Sequence, residues 1–344
     1  MKLLIYADLQ ATDGDEMCFL EPTKSLQHYR VEKFFQDIRR IYDEHKCCGV
    51  IDLGDTTDDR TSIPVPTIEV LGAGLSLLPN SDWNFKLTGN HEQFLRNAEI
   101  NNRRLFEHKF TVVDGCDVFE FGPYMAFFCS FSEDYTELAK WIDEGLKEYR
   151  NYPKLLFGHF QVVGARMNSG PALHGVPVNI LNQFNLCLLG HVHIPQTLGK
   201  CIHYVGSPFQ QDWGEAGESK RVGIFDTDTC EVTWVPLEGY PNYCQTTLQE
   251  FKTLVAQKTE NRYKVSLSSH AEAEEFFRHP LFHQAEPVYV YEEGLPEEQA
   301  IQEDWSFEAI TKRYVALVPP KSAGIEADEA EVLGLGKLIA EGNI

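Results

Sequence analysis

The sequence predicts a layered α/β fold. Short apolar runs rich in β-forming residues recur over the first 237 residues, and stretches with helical periodicity lie between them. Five of these runs end in polar side chains of the types that bind metals. The runs and their final residues are LLIYAD (Asp8), CGVIDLGD (Asp55), NFKLTGNH (Asn90 and His91), KLLFGH (His159) and LCLLGHVH (His191 and His193). In layered α/β proteins ligands bind beyond the carboxyl ends of the strands, so we expect these side chains to meet at one site.

Two amphipathic stretches between the apolar runs are predicted to be helices. Residues 25–45 place their apolar side chains on one face, and residues 134–149 begin with Asp134, which suits a helix N-cap. Further strands are predicted in CIHYVGSP and in RVGIFDTDTCEVTWVPL, which ends at Leu237. The turn-rich segment EGYPNY (238–243) then predicts the exit from a first domain.

The remaining chain has a different pattern. NRYKVSLSS, HAEAEEFFRHPLF and AEPVYVYEE predict a strand, a helix and a strand near 255–293. Pro319 and Pro320 indicate a linker before EADEAEVLGLGKLIAEG, which has the pattern of a short acidic amphipathic helix. We therefore predict three domains, at 1–245, 250–300 and 301–344.

Composition limits the cellular setting and the partners. The sequence contains no run of eighteen apolar residues, so no membrane span is predicted. The N-terminus enters a strand at Leu3 without the features of a signal peptide. Nine cysteines without CxxC spacing favour reduced thiols in the cytoplasm. The net charge of −22 is opposite to that of proteins that grip nucleic acid unaided. Either the chain does not bind nucleic acid, or metals and a partner supply the positive charge.

The polar residues at the strand ends together predict a pair of divalent ions. Each motif alone is as easily a polar turn, but a chance occurrence of all of them in this order is improbable. Two ions about 3.5–4 Å apart activate a water molecule and stabilise charge on a phosphoryl group. Asp55 is the candidate bridging ligand. The other candidates are Asp8 and His193 for the first ion and Asn90, His159 and His191 for the second ion.

A proton donor is predicted beside these ligands. His91 follows the candidate ligand Asn90 and is left free to protonate a leaving alkoxide. Asp58 is the candidate carboxylate that orients the His91 ring, which is a common arrangement behind a functional imidazole.

These motifs resemble those of the calcineurin-like metallophosphoesterases over residues 1 to about 237. The resemblance implies a four-layer α/β/β/α sandwich with a small C-terminal α+β capping domain and terminal helices. It implies two divalent ions, Mn²⁺ by preference with Mg²⁺ as the alternative, and it adds residue 10 to the ligands of the first ion. His174, in the segment LHG, matches a family position near the substrate, although a buried structural histidine is an equal alternative.

The segments GHFQVVGARMNSGPALHGVPVNIL, GHVHIPQTL and HYVGSPFQQDWGEAGESKRVGIFD resemble the nuclease subunit of SbcCD-type recombination complexes, and especially small subunits encoded by phages. This resemblance implies a DNA exonuclease and endonuclease that acts in recombination, repair or replication. It implies an SbcC-like coiled-coil ATPase partner that docks on the terminal helices, and a homodimer formed by helices near 64–79 and 92–106. A phage-encoded chain would work in the cytoplasm of its bacterial host.

Gln10 departs from the family pattern, which has histidine there. An amide oxygen is a harder and weaker donor than imidazole, so we expect an active site with a loosely held first ion. Asp13 or Asp15 is an alternative source of a ligand, and Gln10 as a group outside the ligand shell is another.

Two other functions compete with the nuclease. A serine/threonine phosphatase or cyclic phosphodiesterase would share the metal ligands, but phosphatases carry two arginines that hold phosphate. Asp59 and Thr88 occupy those two places, and Arg60 lies one position late, so we do not expect it to replace them. The third possibility is a scaffold for the ATPase with a silent site.

Overall fold

The computed structural model describes residues 1–13, 19–21, 24–94, 97–167, 170–255, 261–280, 282 and 285–289. The chain divides into two compact units, Met1–Asn242 and a second unit that begins at Tyr243. The predicted terminal helices of 301–344 lie outside the described residues. Among the helices in the described ranges, none is long and apolar enough to cross a membrane.

The first unit contains two large sheets, several short hairpins and four α-helices. Its strands are β1 (Lys2–Tyr6), β2 (Phe19–Glu21), β3 (Lys24–Ser25), β4 (Gly49–Asp52), β5 (Phe85–Leu87), β6 (Gln93–Phe94), β7 (Asn97–Asn101), β8 (Thr111–Val113), β9 (Cys116–Phe121), β10 (Tyr124–Cys129), β11 (Lys154–His159), β12 (Arg166–Met167), β13 (Gly170–Pro171), β14 (Leu186–Gly190), β15 (Gln196–Leu198), β16 (Ile202–Tyr204), β17 (Arg221–Asp226) and β18 (Glu231–Pro236). Its helices are α1 (Leu26–His45), α2 (Val65–Leu77), α3 (Tyr135–Glu148) and α4 (Val178–Leu181).

Both large sheets have parallel centres. The strand order is β18-β17-β1-β4-β5-β8 in the first sheet and β15-β16-β14-β11-β10-β9 in the second. Strands β1, β4, β5 and β8 run parallel, as do β10, β11, β14 and β16. Within each sheet, the carboxyl ends of these strands therefore point the same way.

Each sheet is buried on both faces. Leu3 and Ile5 of β1 pack in a core shared with Phe157 of β11, between the two sheets. Leu4 of β1 faces the opposite way, into a core formed with α1 and α2. Leu156 of β11 likewise faces a third core under α3 and α4. Successive side chains of a strand point to opposite faces, so these continuous apolar runs give the order helix, sheet, sheet, helix. The predicted α/β/β/α sandwich is confirmed.

The predicted helices α1 and α3 are confirmed, and their ends have identifiable causes. The Ser25 hydroxyl accepts a hydrogen bond from the His28 backbone N–H at 3.2 Å and caps α1. Helix α1 stops at Lys46, whose φ of 55° is left-handed. The Asp134 carboxylate caps α3 by accepting from the backbone N–H groups of Thr136 and Glu137.

The prediction of a helix over 92–106 is wrong. This part of the chain contains β6, β7 and a short 3-10 helix at Arg103–Leu105. In an α-helix the Glu92 carbonyl would accept from residue 96. It instead accepts from the backbone N–H of Asn102 at 3.2 Å, which closes a hairpin-like segment.

The described residues of the second unit form a three-stranded parallel sheet and two helices. Its elements are β19 (Tyr243–Thr247), α5 (Leu248–Val255), β20 (Arg262–Leu267), α6 (His270–Arg278) and β21 (Ala285–Tyr289), and the strand order is β19-β20-β21. Phe251, Tyr263 and Phe276 are fully buried and form its core. The strand β20, helix α6 and strand β21 match the predicted strand–helix–strand pattern, whereas β19 and α5 precede it and have no counterpart in that prediction.

Candidate metal centre

Four residues that follow the buried strands have left-handed backbone conformations. The φ angles are 54° for Asp8, 47° for Gln10, 55° for Asp55 and 84° for His191. Residues with a Cβ rarely adopt positive φ, and strained residues of this kind concentrate at functional sites. Backbone hydrogen bonds hold two of them in place: Asp8 N–H donates to the Gly54 carbonyl at 3.0 Å, and Gln10 N–H donates to the Asp55 carbonyl at 2.9 Å.

The structure brings Asp55, Asn90, His159 and His191 together. Ligand atoms of Asp55, His159 and His191 lie within 4.8 Å of one another. Nε2 of His159 lies 3.2 Å from Oδ2 of Asp55. Oδ1 of Asn90 lies 2.8 Å from Nδ1 of His191 and 3.3 Å from Nε2 of His159. Four side chains from the ends of four different strands therefore share one small volume.

The surroundings set the orientation and the protonation of the two imidazoles. Nδ1 of His159 donates to the Leu53 carbonyl at 2.7 Å, so Nε2 faces the cluster. Burial, followed by the charge on His159, lowers the pKa of His191 to about 3, so its ring is neutral. Burial also lowers the pKa of His159, but the Asp55 carboxylate outweighs burial and raises it to about 9. The cluster thus attracts positive charge beside Asp55.

The orientation of the Asn90 amide bears on whether the cluster fits a cation. With Oδ1 toward the histidines, oxygen and ring nitrogen atoms of the four groups face one another, an arrangement that a bound cation or a protonated ring nitrogen stabilises. Rotating the amide by 180° lets its nitrogen donate to Nδ1 of His191 at 2.8 Å and to Oδ2 of Asp55 and Nε2 of His159 at 3.3 Å. One orientation suits a metal-loaded site and the other a metal-free site. The donor set of one carboxylate, one amide and two imidazoles fits a divalent transition metal such as Mn²⁺.

Asp8 and His193 lie close enough to the cluster to interact electrostatically with it and with each other. The Asp8 carboxylate accepts from the His191 backbone N–H at 2.9 and 3.1 Å. Burial raises the pKa of Asp8 to about 6, although His159 and His193 act in the opposite direction. Nδ1 of His193 lies 2.8 Å from Oε1 of Glu215, which leaves its Nε2 available for an ion.

The hydrogen bonds of Gln10 are formed by its backbone and not by its side chain. It is 8% exposed, and its carbonyl accepts from Nε2 of Gln27 at 3.3 Å. In the described parts of the chain, no group forms a hydrogen bond with the Gln10 side-chain amide. Burial and the charges of Asp58 and Asp13 raise the pKa of Asp59, near which Asp13 lies. Asp15 lies outside the described residues.

His91 and Asp58 are in direct contact. Nδ1 of His91 lies 3.0 Å from Oδ1 of Asp58 and 2.6 Å from the Asp58 carbonyl oxygen. Burial lowers the pKa of His91, but the hydrogen bond to Asp58 and the charge of Asp55 outweigh burial and raise it to about 9. At neutral pH the ring therefore carries a proton that it can donate. The His91 backbone N–H also donates to Oδ1 of Asp55 at 2.8 Å, which places the ring at the edge of the cluster.

A buried ion network supports the loop of Asp55, and sequence reasoning missed it. Nζ of Lys86 lies 2.6 Å from Oε1 of Glu92 and 3.1 Å from Oδ2 of Asp52. The Glu92 carboxylate in turn accepts from the backbone N–H groups of Asp55, Thr56 and Gly89. Lys86, Asp52 and Glu92 are almost fully buried. The signal in the sequence is a lysine inside the apolar run NFKLTGNH, where an unpaired charge would be costly.

The structure also locates His174 and Arg60, two residues singled out in the sequence. His174 is exposed, and within the described residues no hydrogen bond or ion pair joins it to the cluster, so its role near the substrate stays a prediction. Arg60, which lies one position late for the missing arginines, contacts the cluster. When the Asn90 oxygen faces outward, it accepts from Nη2 of Arg60 at 2.9 Å.

Comparisons with known proteins agree with this geometry. Residues 1–195 match the family model described as calcineurin-like phosphoesterase. Exonuclease subunit 1 of Enterobacteria phage T4 is 22% identical over 199 residues, which cover 54% of this chain and 55% of that protein, so the chain spans about half the length of this curated relative.

Partly similar solved structures include nuclease MPE of Pseudomonas putida (16% identity, 68% of this chain and 87% of that chain, TM-score 0.33) and a dimetal phosphatase of Danio rerio (12% identity, 69% and 99%, TM-score 0.40). The family model covers more than half of the chain, and its strand ends carry the converging metal-type residues. The chain therefore belongs to the calcineurin-like phosphoesterase family.

Proposed function

We propose that the chain is a nuclease that hydrolyses DNA phosphodiester bonds with two divalent ions, Mn²⁺ by preference or Mg²⁺. The observation that carries the proposal is the His91 ring, held 3.0 Å from the Asp58 carboxylate at the edge of the cluster of Asp55, Asn90, His159 and His191. Asp55, Asn90, His159 and His191 would hold one ion. Asp8, Asp55, His193 and Gln10 would hold the other. The bound ions would supply an activated water molecule and stabilisation of phosphoryl charge.

Side chains of the protein would donate the proton and orient the ligands. His91 would protonate the oxygen of the leaving nucleotide, since its raised pKa keeps it protonated at neutral pH. Asp58 would keep the ring oriented through the 3.0 Å contact with Nδ1. Glu215 would orient His193 in the same way, and the Lys86–Glu92 network would hold the Asp55 loop.

The surroundings of the site favour a nuclease over a phosphatase. Thr88, which stands where phosphatases carry an arginine, is buried, and its hydroxyl lies 3.5 Å from the Val113 carbonyl. Asp59, in place of the other arginine, lies beside Thr12 and brings negative charge instead of positive charge. The name of the phage T4 relative, an exonuclease subunit, points in the same direction.

We further propose that the chain works with partners. Its net charge of −22 would repel a DNA backbone, so a coiled-coil ATPase of the SbcC type would provide most of the DNA contacts, docking on 301–344. Two exposed apolar side chains on one face of α2 support a homodimer. Val65 is 71% exposed and Ile68, one turn further along, is 41% exposed.

Metal-dependent turnover by the full chain tests the proposal. With Mn²⁺, we expect cleavage of linear duplex and single-stranded DNA, and of bis-p-nitrophenyl phosphate, with little action on the monoester p-nitrophenyl phosphate. Faster hydrolysis of the monoester than of DNA would favour the phosphatase. Full occupancy by Mn²⁺ with no turnover on any of these substrates would favour the scaffold.

Because Gln10 replaces histidine, the first ion is expected to bind more weakly than the second ion. An amide oxygen is a poorer donor than imidazole to borderline metals, so Gln10→His should tighten the weaker Mn²⁺ site by roughly tenfold and Gln10→Ala should weaken it. Mn²⁺ binding followed by electron paramagnetic resonance measures this directly, and nuclease rate at limiting Mn²⁺ should follow the same order. Gln249→His, at an exposed residue of the second unit, controls for an added histidine. Superimposable titrations of all the proteins would mean that Gln10 is not a ligand.

A further inference from the structure

The ring of Phe131 contacts two of the candidate metal ligands. Its centroid lies 5.4 Å from that of the His191 imidazole, and the two ring planes are 36° apart. The same centroid lies 6.4 Å from that of the His159 ring, in an edge-to-face arrangement at 74°. The cluster of carboxylate, amide and imidazole groups therefore has an apolar, aromatic side.

Hydrogen bonds of the backbone fix the position of Phe131. Its N–H donates to the Thr88 carbonyl at 2.9 Å, and its carbonyl accepts from Nε2 of Gln93 at 3.2 Å. Thr88 and Gln93 lie on either side of Asn90 in the sequence. The neighbouring Ser130 hydroxyl adds a contact, since it accepts from the Thr88 N–H at 3.1 Å. The end of β10 is thus tied to the segment that carries Asn90, and the ring stands at a defined place beside the cluster.

The Phe131 ring is only half-buried, unlike the preceding phenylalanines of the same apolar run. Phe127 and Phe128 of β10 are fully buried in the two cores that flank the second sheet. Phe131 and His191 both keep part of their surface accessible, and their rings are in contact. A ligand that reaches an ion held by His191 therefore also reaches the Phe131 ring.

A nucleobase is the ligand group that suits this arrangement. The base of a nucleotide is joined to its phosphate through one sugar, so a phosphate at the cluster leaves its base within reach of a ring that packs on His191. Bases stack on aromatic side chains whatever their identity, because every base has a flat π-face. Stacking also requires no positive charge, which fits a chain whose net charge is −22.

We propose that Phe131 is a base-stacking residue of this site. It would contact the base of the nucleotide whose phosphate lies at the metal cluster, and it would favour nucleotides over other phosphate esters without a preference for one base. The inference rests on the proposed nuclease for its substrate, but the binding of a mononucleotide does not depend on turnover.

Binding of a mononucleotide to the Mn²⁺-loaded full chain tests the role of Phe131. The two ligands are thymidine monophosphate and its abasic analogue, in which hydrogen replaces the base. The unchanged protein should bind the nucleotide roughly tenfold more tightly than the analogue, as expected for stacking of one base on one aromatic ring. Phe131→Leu keeps an apolar side chain against His191 but removes the flat ring, so it should abolish most of this difference. Phe131→Trp should retain it. Isothermal titration calorimetry gives the dissociation constants of both ligands and of Mn²⁺.

Tyr152→Leu is the matched control. Tyr152 is 53% exposed and precedes the start of β11, at the opposite end of that strand from His159, so its replacement should leave both ligands unaffected. The proposal is overturned if the unchanged protein binds the nucleotide no more tightly than the analogue, or if Phe131→Leu keeps the full difference. It is also overturned if Phe131→Leu weakens Mn²⁺ and both ligands alike, because Phe131 would then act only by positioning His191. A protein that cleaves no DNA but loses its preference for the nucleotide in Phe131→Leu would refute the proposed nuclease and leave the role of Phe131 standing.

Discussion

His91→Asn is expected to lower the rate of DNA hydrolysis by about a hundredfold or more without loss of bound metal. General acid catalysis by a positioned side chain contributes about 10²–10⁴ in rate, and His91 is protonated at neutral pH because its pKa is raised to about 9. Its ring is not one of the four groups of the candidate metal cluster, which are Asp55, Asn90, His159 and His191. Single-turnover rates at saturating Mn²⁺, together with Mn²⁺ occupancy, measure the two effects separately.

His108→Asn is the matched control, because His108 is exposed and lies away from the strand ends that carry the site. It should leave both rate and occupancy unchanged. A parallel loss of Mn²⁺ and activity in His91→Asn would instead identify His91 as a metal ligand.

The pH profile distinguishes a proton donor from a residue that only shapes the site. A general acid must be protonated, so the rate falls as pH rises through its pKa. The Asp58 carboxylate favours the protonated ring, and its replacement in Asp58→Asn should lower the His91 pKa by about 1 unit or more. The alkaline limb of the rate profile should therefore move to lower pH. An alkaline limb that keeps its position in Asp58→Asn would contradict the proposed role of His91.

Lys86→Met is expected to have the largest effect on stability. It removes the only cation within 3.1 Å of two buried carboxylates among the described residues, those of Asp52 and Glu92. Removing one partner of a buried ion pair costs about 3–5 kcal/mol, because the other charge stays buried without compensation. Thermal unfolding should shift by roughly 2–4 °C for each kcal/mol lost. The loop of Asp55 should loosen as well, since Glu92 holds its backbone.

Lys147→Met gives the comparison for this prediction. Lys147 pairs with Asp143 on the exposed face of α3, so its loss should leave the unfolding temperature almost unchanged. The Asp52 and Glu92 charges together raise the pKa of Lys86 despite its burial, so the stabilisation is complete below the ordinary pKa of lysine and is lost only above it. An unfolding temperature of Lys86→Met equal to that of Lys147→Met would contradict the importance of the network.

The sequence by itself determined the layers of the fold and the polar side chains that meet at the strand ends. Continuous apolar runs require strands covered on both faces, and alternate residues such as Leu3 and Leu4 of β1 pack into two different cores. Polar residues that follow such strands meet because parallel strands end on one side of a sheet. This reasoning needs only the period of the strand and the order of the motifs.

Only the tertiary structure decided how the cluster is supported and what surrounds it. Glu215 behind His193, Lys86 beneath Glu92 and Arg60 beside Asn90 are contacts between side chains whose spacing along the chain has no fixed period. The family resemblance implied a helix near 92–106, yet the hydrogen bond from the Asn102 backbone N–H to the Glu92 carbonyl makes this segment part of a hairpin. Local periodicity specifies which face of an element is buried, but hydrogen-bond partners across loops depend on the path of the whole chain. For that reason the convergence of Asp55, Asn90, His159 and His191 was predictable from sequence, whereas the side chains that support them and Arg60 beside Asn90 were not.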